Sequence, residues 1–221
     1  MNILAIDVGG THVKLLATGQ TEPIKIVSGP EMDAERMTKD VLEATQHWEF
    51  DVVSIGYPGP VVQGNPALEP RNLAPGWVGF DFNGKFGKPV QIINDAAMQA
   101  LGSYEGGRML FLGLGTGLGS ALIIENVVAP MELAHLPYRK GRSFEDYVGL
   151  RGLKRLGKKK WRLAVLDVSQ RLKNAMVADY VILGGGNARI IKRLPPGCRL
   201  GNNENAFLGG YRLWDEKTTR G

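Results

Sequence analysis

Two segments of the chain follow one pattern. Residues 4–17, "LAIDVGGTHVKLLA", and residues 110–123, "LFLGLGTGLGSALI", each run as an apolar strand, a Gly/Thr turn and a second apolar strand. Such a weak internal repeat predicts two related α/β lobes with a cleft between them. The division is expected near residue 107: an N-terminal lobe, 1–107, carrying the first turn, and a C-terminal lobe, 108–221, carrying the second. The closing helix is expected to pack back on the first lobe.

The patterning around the repeat supports this. In the first half, "ILAID", "HVKLLAT" and "IKIVSG" read as strands. Residues 33–48 read as a helix, because Met37, Val41, Ala44 and Trp48 share a face. "DVVSIG" and "VQIIN" are short apolar strands of the buried kind, separated by a Pro/Gly-rich excursion, and "DAAMQALGSYEGG" reads as a helix ended by glycine. In the second half, Ser143 with Asp146 forms a capping-box signal for a helix to about residue 156. "WRLAVLDVSQRLKNAMVAD" reads as a longer helix, "YVILGGG" as a strand and "ENAFLGGYRLW" as the closing helix.

Residues 109–124 hold no charge, yet they do not read as a membrane span. Sixteen residues fall short of the roughly 20 that cross hydrocarbon, and each of the four glycines weakens a helix by about 1 kcal/mol relative to alanine. The spacing G-x-G-x-G-x-G is not the dinucleotide G-x-G-x-x-G, and β-prone residues follow where a helix should begin. No phosphate-loop G-x-x-x-x-G-K-[ST] occurs. A hairpin turn remains, in which glycine permits positive φ and brings backbone N–H groups close to a ligand. Phosphates gain most from such donors, although glycine hairpins also serve simply to pack sheets. In the first turn Asp7 ends a strand, where its carboxylate can reach a magnesium ion through water or is an ordinary turn aspartate. Gly9, Gly10 and Thr11 add backbone and hydroxyl donors, and the two turns together would clamp a phosphate donor.

At 221 residues and 43% hydrophobic content the chain can bury a substantial core. The single cysteine, Cys198, excludes an internal disulfide and a multi-cysteine metal cage. With no basic leader in "MNILAIDVGG", this suits a cytoplasmic protein outside the membrane. The net charge of +5 is uneven: residues 138–162 carry ten Lys or Arg against two acids, a local +8. Such a segment attracts a polyanion, or is a solvated helix face.

"DVGGTHVKLLA", "IGYPGPV", "RNLAPGW", "INDAAMQALGSY", "LGLGTGLGSALI", "MELAHL" and "VILGGGNA" stand in the order seen in the ROK family of sugar kinases, which the chain resembles over nearly its whole length. The resemblance implies an α/β, two-lobed actin-like ATPase (ribonuclease H-like) fold with a central cleft. Within the family it is strongest to the polyphosphate/ATP glucokinases, which lack the cysteine zinc motif, so no zinc is expected. By the same resemblance, Asp95 is the catalytic base for the sugar's 6-hydroxyl. Asn72, Asn94, Glu132, His135 and Glu145 bind the sugar. Gly9, Gly10, Thr11 and Lys14 with Asp7, and Gly115, Thr116 and Gly117, hold phosphates, while Gly184, Gly185 and Gly186 form the adenosine-side loop. Ala134 stands where the family's E-x-G-H has glycine.

The implied activity is phosphoryl transfer to glucose or a related hexose, with Mg2+ and with ATP or polyphosphate as donor. The segment after residue 150 is shorter than in most relatives, which with the basic stretch favours polyphosphate. A homodimer is compatible with the resemblance. Rival readings are a sugar-binding regulator of the same family, whose N-terminal DNA-binding segment is not expected here, and a polyanion-binding module. The latter lacks aromatic interleaving beyond Trp161, so nucleic acid is not an expected partner. Trp77 either stacks near the sugar or anchors its long loop.

Overall fold

The computed structural model describes residues 1–202 and 204–220. The chain falls into two compact units, Met1–Met98 with Ala206–Asp215, and Gln99–Asn205 with Glu216–Gly221. In chain order the first half contains β1 (Ile3–Val8), β2 (His12–Ala17), β3 (Ile24–Val27), α1 (Ala34–Ala44) and β4 (Val52–Tyr57). The short pair β5 (Val61–Val62) and β6 (Asn65–Pro66) follows, then α2 (Phe82–Phe86), β7 (Val90–Asn94) and α3 (Asp95–Ser103). The second half contains β8 (Arg108–Leu114), β9 (Leu118–Ile124), β10 (Val127–Met131), β11 (Pro137–Arg139), β12 (Arg142–Ser143), α4 (Glu145–Val148) and α5 (Leu150–Ala175). It ends with β13 (Tyr180–Gly184), β14 (Cys198–Leu200), α6 (Asn205–Arg212) and β15 (Thr219–Arg220).

The two main sheets repeat one topology. The first is ordered β3-β2-β1-β4-β7 and the second β14-β13-β8-β9-β10-β15. In each, a hairpin and a third strand form an antiparallel trio, β1-β2-β3 or β8-β9-β10. Two parallel strands then extend from the first strand of that trio, β4 and β7 or β13 and β14. Strand β15 adds at the edge of β10. The sequence repeat is thus a repeat of five-stranded units.

In the first unit the sheet buries both faces. Leu4, Ile6, Val53 and Ile55 join Met37 and Val41 of α1 in one core. The alternate residues Ala5 and Ser54 meet α6, where a Cβ added to Gly210 would stand 2.7 Å from the Ala5 Cβ. The helix predicted over 33–48 stops at Ala44: Thr45 takes a non-helical φ of −106° and ψ of 14°, and its hydroxyl donates to the Val41 carbonyl at 2.8 Å. Trp77 is fully buried, donates to the Ala74 carbonyl at 2.9 Å and packs beside Tyr57 and Phe82. It anchors its loop.

In the second unit, Trp161, Val165, Val168 and Leu172 of α5 recur at helical spacing and share a core with Leu110, Leu112, Val181 and Leu183. The Ser143–Asp146 capping box forms: the Ser143 N–H donates to the Asp146 carboxylate at 3.0 Å, and the Asp146 N–H to the Ser143 hydroxyl at 3.3 Å. The helix behind it is a single turn, since Gly149 takes an extended conformation with ψ −179° before α5 starts. Helix α5 itself breaks at Gly157, whose φ of 71° and ψ of 162° are non-helical. Among the described residues no helix is long and apolar enough to cross a membrane.

Candidate active site

Asp7 lies next to the end of β1, in register with Lys14 of β2 and with Gly56 of β4. The Lys14 ammonium stands 3.0 Å from Asp7 Oδ2, and both side chains are partly exposed. The turn between the strands closes by the Gly9 N–H donating to the His12 carbonyl at 3.0 Å. The N–H groups of Gly10 and Thr11 have no acceptor among the described residues, and both residues are exposed. An anion placed there would meet two unused donors and an ammonium. Asn72, on the loop after β6, packs over this turn, with its Cβ 3.3 Å from where a Cβ on Gly10 would be.

Asp95 begins α3. The helix cap is supplied by its neighbour: Asn94 Oδ1 accepts the N–H groups of Ala96 and Ala97, at 3.0 and 3.2 Å. Asn94 Nδ2 donates to the Gly59 carbonyl at 3.1 Å, which leaves one of its two amide protons for a ligand. Asp95 Oδ1 accepts the Ala96 N–H at 2.7 Å. Gly56, paired with Asp7, also borders Asp95, whose Cα lies 3.5 Å from the Cβ position of Gly56. The first unit therefore brings Asp7 and Asp95 to one glycine, with Lys14 on the other side of Asp7 and Asn72 against the neighbouring turn. Sequence reasoning missed Gly56; a glycine inside an otherwise apolar strand was the available signal.

In the second unit the matching turn, Gly115–Gly117, also leaves two N–H groups, those of Thr116 and Gly117, without an acceptor among the described residues. The Gly115 N–H is used within the turn. None of Gly9, Gly10, Gly115 or Gly117 has a positive φ, so the left-handed backbone allowed for at these turns is not adopted. Close approach of backbone calls for glycine at Gly9, and a side chain crowds Gly10 and Gly117, whereas Gly115 has open space at its Cβ position. A Cβ on Gly9 would stand 2.9 Å from the His12 carbonyl oxygen, and one on Gly117 2.4 Å from Glu145 Oε2.

Glu145 thus sits against the second turn. Its Oε2 accepts the Leu118 N–H at 3.3 Å, and its Oε1 lies 3.3 Å from an Arg151 nitrogen. The loop after β13 docks on the same turn: the Asn187 N–H donates to the Leu114 carbonyl and Asn187 Nδ2 to the Gly115 carbonyl, both at 2.9 Å. Gly185, with φ 81°, has the Leu114 backbone 2.7 Å from its Cβ position, so no side chain fits. Gly184 pairs in register with Gly113, and Gly186 has open space at its Cβ position. Asn187 was not singled out from sequence, although it follows the three glycines directly.

Glu132 precedes a single 3-10 turn, Leu133–His135, which His135 ends, and both are exposed. Among the described residues neither side chain has a hydrogen bond or ion pair, and none joins them to Glu145 or to the second turn. Ala134 is buried in that turn without a positive φ, so a methyl group is accommodated at the family's glycine position.

A magnesium ion held mainly by water and donor phosphates needs only one or two carboxylates. Asp7 fits that role through Oδ1, since Lys14 occupies Oδ2. Among the described residues no group of three His, Cys, Asp or Glu side chains forms a metal cage.

These paired units, with a glycine hairpin in each, define the actin-like ATPase fold of hexokinase-type proteins. Over its whole fold the chain is similar to an inorganic polyphosphate/ATP-glucomannokinase from Arthrobacter sp. strain KM, with a TM-score of 0.79, 22% identity, and 95% and 96% of the two chains covered. It is also similar to a ROK family glucokinase from Streptomyces griseus solved with glucose and AMPPNP, with a TM-score of 0.73, 16% identity, and 96% and 99% covered. The ROK family model matches residues 3–130, more than half of the chain, and the chain belongs to that family. Among sequence relatives, an N-acetylmannosamine kinase of Vibrio vulnificus is 32% identical over 142 residues, 56% of this chain and 48% of the relative, so the chain spans about half of that protein's length. A polyphosphate glucokinase of Mycobacterium tuberculosis is 28% identical over 210 residues, covering 83% of this chain and 77% of the relative.

Proposed function

We propose that the protein is a sugar kinase that transfers a phosphoryl group from polyphosphate or ATP to the 6-hydroxyl of glucose or a related hexose. The observation that carries this reading is the repeated turn: each unit presents two adjacent backbone N–H groups without an acceptor among the described residues, Gly10 and Thr11 in one, Thr116 and Gly117 in the other. Fixed donors of this kind stabilise phosphoryl charge without reorganising during the reaction. Since phosphoryl transfer proceeds through a loose transition state, positioning and charge neutralisation do most of the work.

In this reading Asp95 accepts the proton of the attacking hydroxyl. The remaining Asn94 N–H and the Asn72 amide orient the sugar, and Glu132 and His135 take hydroxyls farther round the ring. Lys14 neutralises donor phosphate beside Asp7. When bound at Asp7, magnesium would supply additional charge neutralisation. Gly184 to Gly186 would lie along the adenosine side when ATP is the donor. Glu145 braces the second turn and offers its carboxylate to a sugar hydroxyl.

Glucose is placed first because, of the sequence relatives, the polyphosphate glucokinase matches 83% of this chain and the N-acetylmannosamine kinase 56%. The test is a coupled assay of glucose, mannose, fructose and N-acetylmannosamine, each with ATP and with polyphosphate. Glucose with either donor is expected to give the highest kcat/KM. Sugar binding without turnover under any pairing would overturn the enzyme reading in favour of a sugar-binding regulator.

A further inference from the structure

The first two turns of α5 leave the second phosphate turn directly. The Leu150 N–H donates to the Thr116 carbonyl at 3.1 Å, and a Cβ on Gly149 would stand 3.0 Å from the same oxygen. The helix start is therefore tied to Thr116, the residue whose own N–H faces the donor in the reading above. From there the chain carries Arg151, Lys154, Arg155, Lys158, Lys159 and Lys160 within ten residues, with no acid among them.

The two arginines are already committed. Arg151 pairs with Glu145 and Asp146, and Arg155 donates to the Asp146 carbonyl at 2.7 Å while lying over the Tyr147 ring. The four lysines are different: each is exposed and none has an ion-pair or hydrogen-bond partner among the described residues. Lys158 also stands one turn before Arg162, a like-charge spacing that disfavours a helix unless an anion compensates it. Gly157 separates Lys154 from the other three with its non-helical φ of 71°, so the lysines do not follow one regular helical ladder.

We infer that Lys154, Lys158, Lys159 and Lys160 form a binding track for the distal part of a linear inorganic polyphosphate whose terminal residue sits at the Thr116–Gly117 turn. The direction of the chain rests on the phosphate role given to that turn. The site takes a phosphate chain and not a nucleic acid because no stacking platform accompanies the lysines. Trp161 is fully buried with its Nε1 donating to the Val148 carbonyl, and Tyr147 and Phe144 are also buried. Tyr138 is half-buried with its hydroxyl 2.5 Å from Asp167. Single-strand binders use exposed aromatic faces for bases; here only charge is presented.

The test compares the full-length protein with the triple variant Lys158→Glu, Lys159→Glu, Lys160→Glu, and with the milder Lys→Gln triple should charge reversal impair folding, as judged by circular dichroism. Binding of end-labelled long-chain polyphosphate is followed by fluorescence anisotropy at several salt concentrations, without turnover. Loss of three phosphate contacts is expected to weaken binding at least about tenfold and to reduce the log–log salt slope by roughly 2–3. The KM values for tripolyphosphate, for ATP and for glucose are expected to stay within about twofold, since these ligands do not reach the track.

Unchanged long-chain binding in the triple variant would overturn the track, as would an equal loss for tripolyphosphate. Tighter binding of single-stranded RNA than of polyphosphate by the wild-type protein would also overturn it, in favour of a nucleic-acid surface. Because this assay reads binding alone, its outcome separates from that of the kinase reading. Lysine-dependent polyphosphate binding without sugar phosphorylation would retain the track and defeat the kinase reading; ATP-dependent kinase activity without polyphosphate binding would do the reverse.

Discussion

A Cβ placed on Gly56 would stand 3.5 Å from the Cα of Asp95 and 2.5 Å from the Met98 Cε. The start of α3 therefore rests on a strand position that has no side chain, and Asp7 pairs with that same residue. Alanine at position 56 needs only the flexible end of Met98 to move. The two γ-methyls of valine would reach the α3 backbone and displace Asp95. Gly56→Val is expected to lower kcat by about 10²-fold, the cost of a misplacement near 1 Å at a reacting group. Gly56→Ala should retain most activity. Steady-state assays of the two variants check this.

Asp95→Asn keeps the side-chain size and removes the base. The turnover number is expected to fall by about 10²–10⁴-fold, the contribution typical of general-base catalysis. Sugar affinity, read by isothermal titration calorimetry, should stay within a few-fold, because Asn94 rather than Asp95 supplies the cap that organises the helix start. An active variant would remove Asp95 from the catalytic role.

The hairpins were legible because their signals are local. Alternating apolar residues and a Gly/Thr turn recur in "AIDVGGTHVKLL" and "LGLGTGLGSALI", and both fold as antiparallel pairs. The reason for the glycines was legible only in part. The sequence allowed both a left-handed backbone and a close approach of backbone to a ligand; the first is not adopted, and the contacts of Gly10 with Asn72 and of Gly117 with Glu145 depend on distant parts of the chain. Gly56 and Asn187 escaped notice for the same reason: each matters through a partner across the sheet or loop. The break after α4 was hidden too, since Ser143 and Asp146 signal where a helix begins but not that Gly149 ends it within one turn.

Glu145 serves the second turn through its Leu118 and Arg151 contacts as well as any sugar hydroxyl. Glu145→Ala leaves the Leu118 N–H without its charged acceptor, a loss of about 1.5–3 kcal/mol. With that brace gone the Thr116 and Gly117 donors are less firmly held, and the donor KM is expected to rise roughly tenfold or more, alongside any rise in sugar KM. Arg151→Ala, which leaves the carboxylate in place, should raise the donor KM only a few-fold. A change confined to sugar KM in Glu145→Ala would confine this residue to the acceptor.

Ser54 is fully buried, donates to the Gly210 carbonyl at 2.6 Å and accepts the Trp214 Nε1–H at 2.9 Å. It therefore ties the returning helix to the first sheet. Ser54→Ala strands both partners and is expected to reduce unfolding free energy by about 1–3 kcal/mol. Urea denaturation should show a lower midpoint with little change in slope. Wild-type stability would mean that the two partners find other groups.

Acid stability follows from two carboxylates in the second unit. The Ser143 backbone N–H, against slight desolvation and with help from the Ser143 hydroxyl and Arg151, holds Asp146 below the usual carboxylate range. At Asp167, desolvation opposes ionisation, but the Tyr138 hydroxyl and Arg171 outweigh it and lower its pKa as well. A carboxyl group with a depressed folded-state pKa stabilises the protein fully above its unfolded value, and that contribution disappears as pH falls through the folded value. Thermal melts should therefore be flat in these contributions near neutrality and decline as pH drops below about 4, the unfolded aspartate range. The double variant Asp146→Asn, Asp167→Asn should melt lower at pH 7 and lose less between there and the acid limb. A wild-type-like acid slope in that variant would assign the decline to other carboxylates.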